Sequence, residues 1–303
     1  MRPAAANDVE ERHRMTATYP FVLAHGIARF DFLARQLEIV GGQEEGDDRD
    51  HYFRCIRSTM VAAGFDVHHS SVSFAAGVDT RARQLRQNVE AVLDRTGAGR
   101  VHLIAHSMGG LDARRMLFDG RDDKLHDRIA SLTTIGTPHL GTRFADWGMN
   151  HSRELFQLFE FAGIDSLDGF RDLTTEACLA FNAKAREFEQ SCVVPFQTIA
   201  GVQELPLIFA PLQFSWFVIH ASEGANDGLV SLASAKWKDE YFLRQLDADH
   251  LNQIGWWDPN ELGRRFFPSV SATQLSRKDT EARARALYIE LAQDLARRFP
   301  LKK

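Results

Sequence analysis

A chain of 303 residues with 44% hydrophobic and 25% charged residues has an ordinary globular composition and enough length to bury a substantial core, as one large α/β domain would. Its net charge of -5 leaves no basic surplus for nucleic acid or anionic lipid. Three cysteines, Cys55, Cys178 and Cys192, are an odd number without metal-type spacing, so neither a disulfide framework nor a zinc site is expected.

Residues 1–18 mix charges of both signs without an apolar centre, which a secretory signal needs, and read as a flexible leader before a single domain over 19–303. An apolar run from Pro20 to Ala24 ends at His25-Gly26, and a second, Val101 to Ala105, ends at His106. Such continuous runs suit central parallel strands covered on both faces. Between them, Tyr52, Ile56, Met60 and Ala63 recur at helical spacing before Gly64. "FDVHHSSV" reads as a strand, and Leu85, Val89, Val92 and Leu93 form another helical stripe before Gly97, a residue suited to ending a helix.

After Ser107 the pattern predicts a helix to about Phe118, then strands in "IASLTTIG" and "CVVPFQTIAG". This alternation predicts an α/β fold, a mostly parallel central sheet with helices on both faces. Residues 143–190 interrupt it with greasy helical sequence. Leu155, Phe156, Leu158, Phe159 and Phe161 exceed one apolar stripe, as in an inserted helical cap that covers something apolar. The most apolar stretch, Leu205 to Ile219, is shorter than the roughly 20 residues that span a bilayer and contains Pro206 and Pro211, so no transmembrane span is expected. "YFLRQL" reads as a late strand. An amphipathic helix over Thr280 to Phe299, with Leu287, Leu291 and Leu295 on one face, ends the chain.

The segment "VHLIAHSMGG" places Ser107 between a strand and a helix, with Ala105 and Gly109 small enough for the sharp turn that exposes a nucleophilic serine. The plain alternative is a helix N-cap serine. Hydrolysis by such a serine needs two backbone N–H donors for an oxyanion, one after the nucleophile and one after an early strand, and Met108 and Ile27 occupy those places. His25-Gly26 also reads as a simple turn. The base and acid should follow Ser107. Of His126, His139, His151, His220 and His250, the last stands where a base loop falls, in "LDADHLNQIGW". Asp227 in "GANDGLVSL" precedes it, although Asn-Asp-Gly is also an ordinary turn sequence. Asp249 competes, but adjacent side chains diverge from the backbone. His106 reads as a packing or pocket-lining residue, and His68 and His69 fall outside the order.

Together, "YPFVLAHGI", "VHLIAHSMGGLDARRM", "TIGTPHLGT", "DLTTEACLAFN", "NDGLVS" and "DHLNQIGW" resemble, in order from Tyr19 to about Trp256, the bacterial true lipases of the α/β-hydrolase superfamily. The resemblance implies Ser107 as nucleophile, Asp227 as acid, His250 as base, the amides of Ile27 and Met108 as oxyanion donors, and a carboxylic-ester hydrolase acting on lipid or other acyl esters. Phe156, Phe159 and Phe161 of the cap are the candidate acyl contacts, and the cap is a candidate interfacial surface. Two departures matter. The family's structural calcium uses an aspartate two residues after the base, where this chain has Asn252, so no cofactor is expected. The family's disulfide also has no partner for Cys192, since Leu232-Ala233 follow "NDGLVS". These losses and the absent signal favour a cytoplasmic setting over export. Two alternatives stay open: a non-catalytic module binding lipid or a partner, and an acyltransferase using the same acyl-enzyme.

Overall fold

The computed structural model describes residues 18–27, 48–49, 51–151, 168–256 and 277–301. The predicted leader up to residue 17 and Phe156, Phe159 and Phe161 lie outside the described residues. In chain order the elements are β1 (Phe21–Ala24), α1 (Ile56–Ala62), β2 (Val67–His69), α2 (Val78–Thr96), β3 (Val101–His106), α3 (Met108–Asp119), β4 (Ile129–Ile135), α4 (Arg143–Asn150), α5 (Asp168–Arg171), α6 (Thr175–Ser191), β5 (Phe196–Val202), α7 (Gln213–Glu223), α8 (Leu232–Lys236), β6 (Phe242–Asp247) and α9 (Arg277–Arg298).

The strands form one sheet in the order β2-β1-β3-β4-β5-β6, and every neighbouring pair is parallel. The continuous apolar runs follow from burial on both faces. Phe21, Leu23, Ile104, Ile135 and Ile199 face one core, packed with α1 and α9, while Val22, Ala24, Leu103, Ala105 and Leu132 face the other, packed with α2 and α3. Leu287, Leu291 and Leu295 of α9 are all buried. Full burial of each such side chain is worth roughly 1.5–3 kcal/mol. The register pairs Ala24 with Ala105 and His106 with Ile135, so three strands end at one level and release their loops at one edge. That edge is where ligands bind in open α/β sheets.

The first helix starts four residues later than the Tyr52 stripe predicts. Cys55 adopts a left-handed φ of 54°, and Asp48 takes over the capping: its carboxylate accepts the Ser58 N–H at 2.9 Å and its carbonyl accepts Cys55 N–H at 3.1 Å. Tyr52 is thereby left outside the helix, free to point into the sheet edge. The stretch Leu205 to Ile219 becomes two proline-started 3₁₀ turns and then α7. No helix among the described residues is long and apolar enough to cross a membrane.

Candidate active site

Ser107 joins β3 to α3 with φ 56° and ψ -133°. A non-glycine residue there carries a backbone strain of about 1–3 kcal/mol, which surrounding contacts must hold. They do: its N–H donates to Ile135 O at 2.9 Å, and its carbonyl accepts the Thr137 hydroxyl at 2.7 Å and Gly110 N–H at 3.1 Å. A β-carbon on Gly109 would lie 2.5 Å from the Ala24 carbonyl oxygen, so the turn passes β1 too closely for any side chain. Ser107 occupies the N-cap position of α3, yet its hydroxyl caps nothing. Its hydroxyl makes no hydrogen bond among the described residues and is not spent on the helix.

Across the turn lies the loop after β1. A β-carbon on Gly26 would stand 3.1 Å from Ser107 Oγ and 2.6 Å from Tyr52 Oη, so the bare glycine backbone rests against the serine and carries Ile27 beside it. Met108, the other expected donor, opens α3 and is fully buried. The buried guanidinium of Arg81 braces this arrangement. It donates to His25 O at 2.7 Å, to Ser73 O at 2.7 Å, and through Nε and Nη2 to Asp112 Oδ2 at 2.9 and 2.7 Å, tying the loop after β1 to α2 and α3. Burial pushes the Asp112 carboxyl up to about 6, with Arg81 opposing the rise. Removing one partner of a buried ion pair strands the other charge. Arg81→Met is therefore expected to destabilise the fold by about 3–5 kcal/mol in a denaturant melt. A loss below about 1 kcal/mol would show the pair to be dispensable.

Asp227 and His250 meet although 23 residues apart: His250 Nδ1 lies 2.8 Å from Asp227 Oδ2, and both are buried. The Asp227 backbone carbonyl also accepts His250 N–H at 2.8 Å. The carboxylate takes two donors on each oxygen, Leu229 N–H (2.9 Å) and Val230 N–H (2.8 Å) on Oδ1, and His250 and Gln253 Nε2 (2.7 Å) on Oδ2. This arrangement fixes the imidazole tautomer with its proton on Nδ1. Nε2 is then the nitrogen left to accept a proton. Among the described residues no hydrogen bond joins it to Ser107, and such contacts often tighten only when substrate binds.

The competitor Asp249 is engaged elsewhere. Its carboxylate accepts the backbone N–H groups of Leu251 and Asn252 on one oxygen and Phe209 on the other, while burial pushes it up to about 7. His106 is a buried packing residue: its Nδ1 meets Tyr52 Oη at 2.7 Å and its ring lies 4.5 Å from that of His250. Of the other candidate bases, His139 stacks on Trp237, His151 on Trp147 and His220 on Trp216, while His126 packs edge-on against Phe188. Asn252 donates to Trp256 O at 3.1 Å. Cys55, Cys178 and Cys192 are all free thiols.

Residues 56–145 match the family model described as lecithin:cholesterol acyltransferase. A Saccharomyces cerevisiae protein named triacylglycerol lipase 2 is 27% identical over 92% of this chain and 91% of its own length. A triacylglycerol lipase of Pseudarthrobacter phenanthrenivorans is 36% identical over 43% of this chain, a stretch covering 36% of that relative. Among solved structures, a Bacillus licheniformis lipase in its mature form superposes with a TM-score of 0.61 at 20% identity, over 84% of this chain and 93% of that one. A metagenomic carboxyl esterase gives 0.63 at 20% identity, over 91% and 76%. The chain has the α/β-hydrolase fold, and the proteins it is similar to are lipases and esterases.

Three residues of the candidate site escape sequence reading: Gln253, Tyr52 and Arg81. Tyr52 and Arg81 lie outside the quoted motifs, and Gln253 lies inside "DHLNQIGW" without anything there that marks its amide as a partner of Asp227. The one available signal is an unexplained polar side chain in an otherwise buried turn, Gln253, three residues after the histidine.

Proposed function

We propose that this protein cleaves carboxylic esters of lipids through an acyl-enzyme. Ser107 Oγ attacks the acyl carbonyl, and His250 Nε2 takes its proton while Asp227 holds the opposite ring nitrogen. The Ile27 and Met108 amides receive the negative charge that develops on the carbonyl oxygen. Collapse expels the alcohol, which regains its proton from His250, and water then releases the acid by the same steps. The observation that carries this reading is the 2.8 Å Asp227–His250 pair facing the edge where Ser107 makes its strained turn.

A lipid preference draws support from apolar surface on α7. Phe214 and Phe217 are 48% and 54% exposed, and Phe214 packs on Trp147 of α4. Phe156, Phe159 and Phe161 are proposed as acyl contacts, with the cap as the part that meets an interface. Acyl transfer to an alcohol is a second reading. It is favoured by the acyltransferase family match, which contains Ser107 but neither Asp227 nor His250.

Two measurements test the proposal. A fluorophosphonate probe should label Ser107 stoichiometrically, because only an activated hydroxyl reacts; an unlabelled folded protein would favour the non-catalytic module. An ester panel graded by acyl length should show turnover that EDTA leaves unchanged. Ester formed from an added alcohol in excess of free acid would select acyl transfer.

A further inference from the structure

We propose that Gln253 is a positioning residue for this reaction, holding the Asp227 carboxylate in the orientation in which it can serve His250. The proposal rests on the serine-hydrolase reading and extends it to a residue that touches neither substrate nor the reacting atoms. Gln253 sits on a single 3₁₀ turn, Asn252–Ile254, three residues after His250, and its side chain is 1% exposed. Its Nε2 donates to Asp227 Oδ2 at 2.7 Å, the same oxygen that meets His250 Nδ1 at 2.8 Å. One carboxylate oxygen is thus shared between the candidate base and this amide.

The space around Gln253 is shaped for it. Gly136 follows β4 with φ +56°, and a β-carbon there would overlap Gln253 Oε1; a β-carbon on Gly201 in β5 would overlap Nε2. Two glycines, one just after β4 and one in the adjacent β5, therefore leave room for the carboxamide where a β-carbon would collide with it. Its orientation is fixed by charge, since turning the amide over would set Oε1 against the carboxylate oxygen. On the far side stands His106, whose ring lies within hydrogen-bonding reach of the Gln253 side chain. Burial, then the proximity of His250, holds His106 well below the usual histidine range, so it adds no cation to the cluster.

A carboxamide does what a carboxylate at this place could not. Two carboxylates at hydrogen-bond distance cannot both ionise near neutrality, and one would hold a proton. Gln253 donates at every pH without titrating, so Asp227 remains a single, oriented anion. Removing the donor should make Asp227 a stronger acceptor for the imidazolium and so change the pH dependence of turnover.

The experiment is the pH dependence of kcat and kcat/KM for a short p-nitrophenyl ester in the full chain, with wild type, Gln253→Met and Gln253→Glu, alongside thermal melts. Gln253→Met should lose roughly tenfold in kcat with KM nearly unchanged. Its acid limb should move up by about 0.5–1 pH unit. Gln253→Glu should add an ionisation absent from the other two profiles. If the methionine variant fails to fold, the extra ionisation decides alone. An active wild type whose variants keep its limb and its kcat, changing only in melting temperature, would overturn the proposal and leave the hydrolase reading standing. A wild type without ester turnover would overturn both.

Discussion

Ser107→Ala is expected to reduce hydrolysis of a nitrophenyl ester by about 10⁴-fold to 10⁶-fold, with the fold unchanged. The two halves of this expectation have separate physical causes. Catalysis falls because an alanine methyl cannot form the acyl-enzyme, and what remains is the contribution of the oxyanion amides and substrate binding. Stability holds because the hydroxyl makes no hydrogen bond among the described residues, so its removal strands no buried partner. The backbone of the turn is kept by the Ile135, Gly110 and Thr137 contacts, which do not involve the Ser107 side chain. Alanine and serine share the same strain at φ 56°. A melt within about 0.5 kcal/mol of wild type is therefore expected. Wild-type-like turnover by this variant would remove Ser107 from the reaction.

The parts of this molecule legible in its sequence are those whose signals are local. β1 and β3 announce themselves as apolar runs because both sheet faces are covered, and α9 as a stripe because only one of its faces is. Tyr52 misled the periodicity: its ring extends the stripe of α1, but its hydroxyl is directed to His106, and no pattern of hydropathy reports such a partner. Arg81 lies in a helix rich in charge, where a guanidinium reads as solvated, yet it is fully buried against Asp112. Asp227 and His250 could be paired by chain order and turn chemistry. Gln253 could not, because its role depends on Gly136, just after β4, and Gly201, in β5, which come together only when those strands pair.

Asp227→Asn is expected to lower kcat by about 10⁴-fold and to cost roughly 1–3 kcal/mol of stability. Each oxygen of Asp227 accepts two N–H groups, so no rotation of an asparagine amide can satisfy the site. With Nδ2 toward Leu229 and Val230, two backbone donors in the turn face a third donor. With Nδ2 toward Oδ2's place, Gln253 loses its acceptor and the imidazole must move its proton from Nδ1 to Nε2. That tautomer cannot take a proton from Ser107, and without the carboxylate's charge the imidazolium loses its support. Asp249→Asn separates this effect from a general loss of negative charge beside His250. Asparagine at 249 keeps an oxygen for the Leu251 and Asn252 N–H groups and gives up only the bond to Phe209, so its rate should stay within about tenfold of wild type. Should the two variants exchange these outcomes, with position 249 silencing the enzyme and position 227 sparing it, the acid would have to be reassigned to Asp249 and the Asp227–His250 contact read as structural.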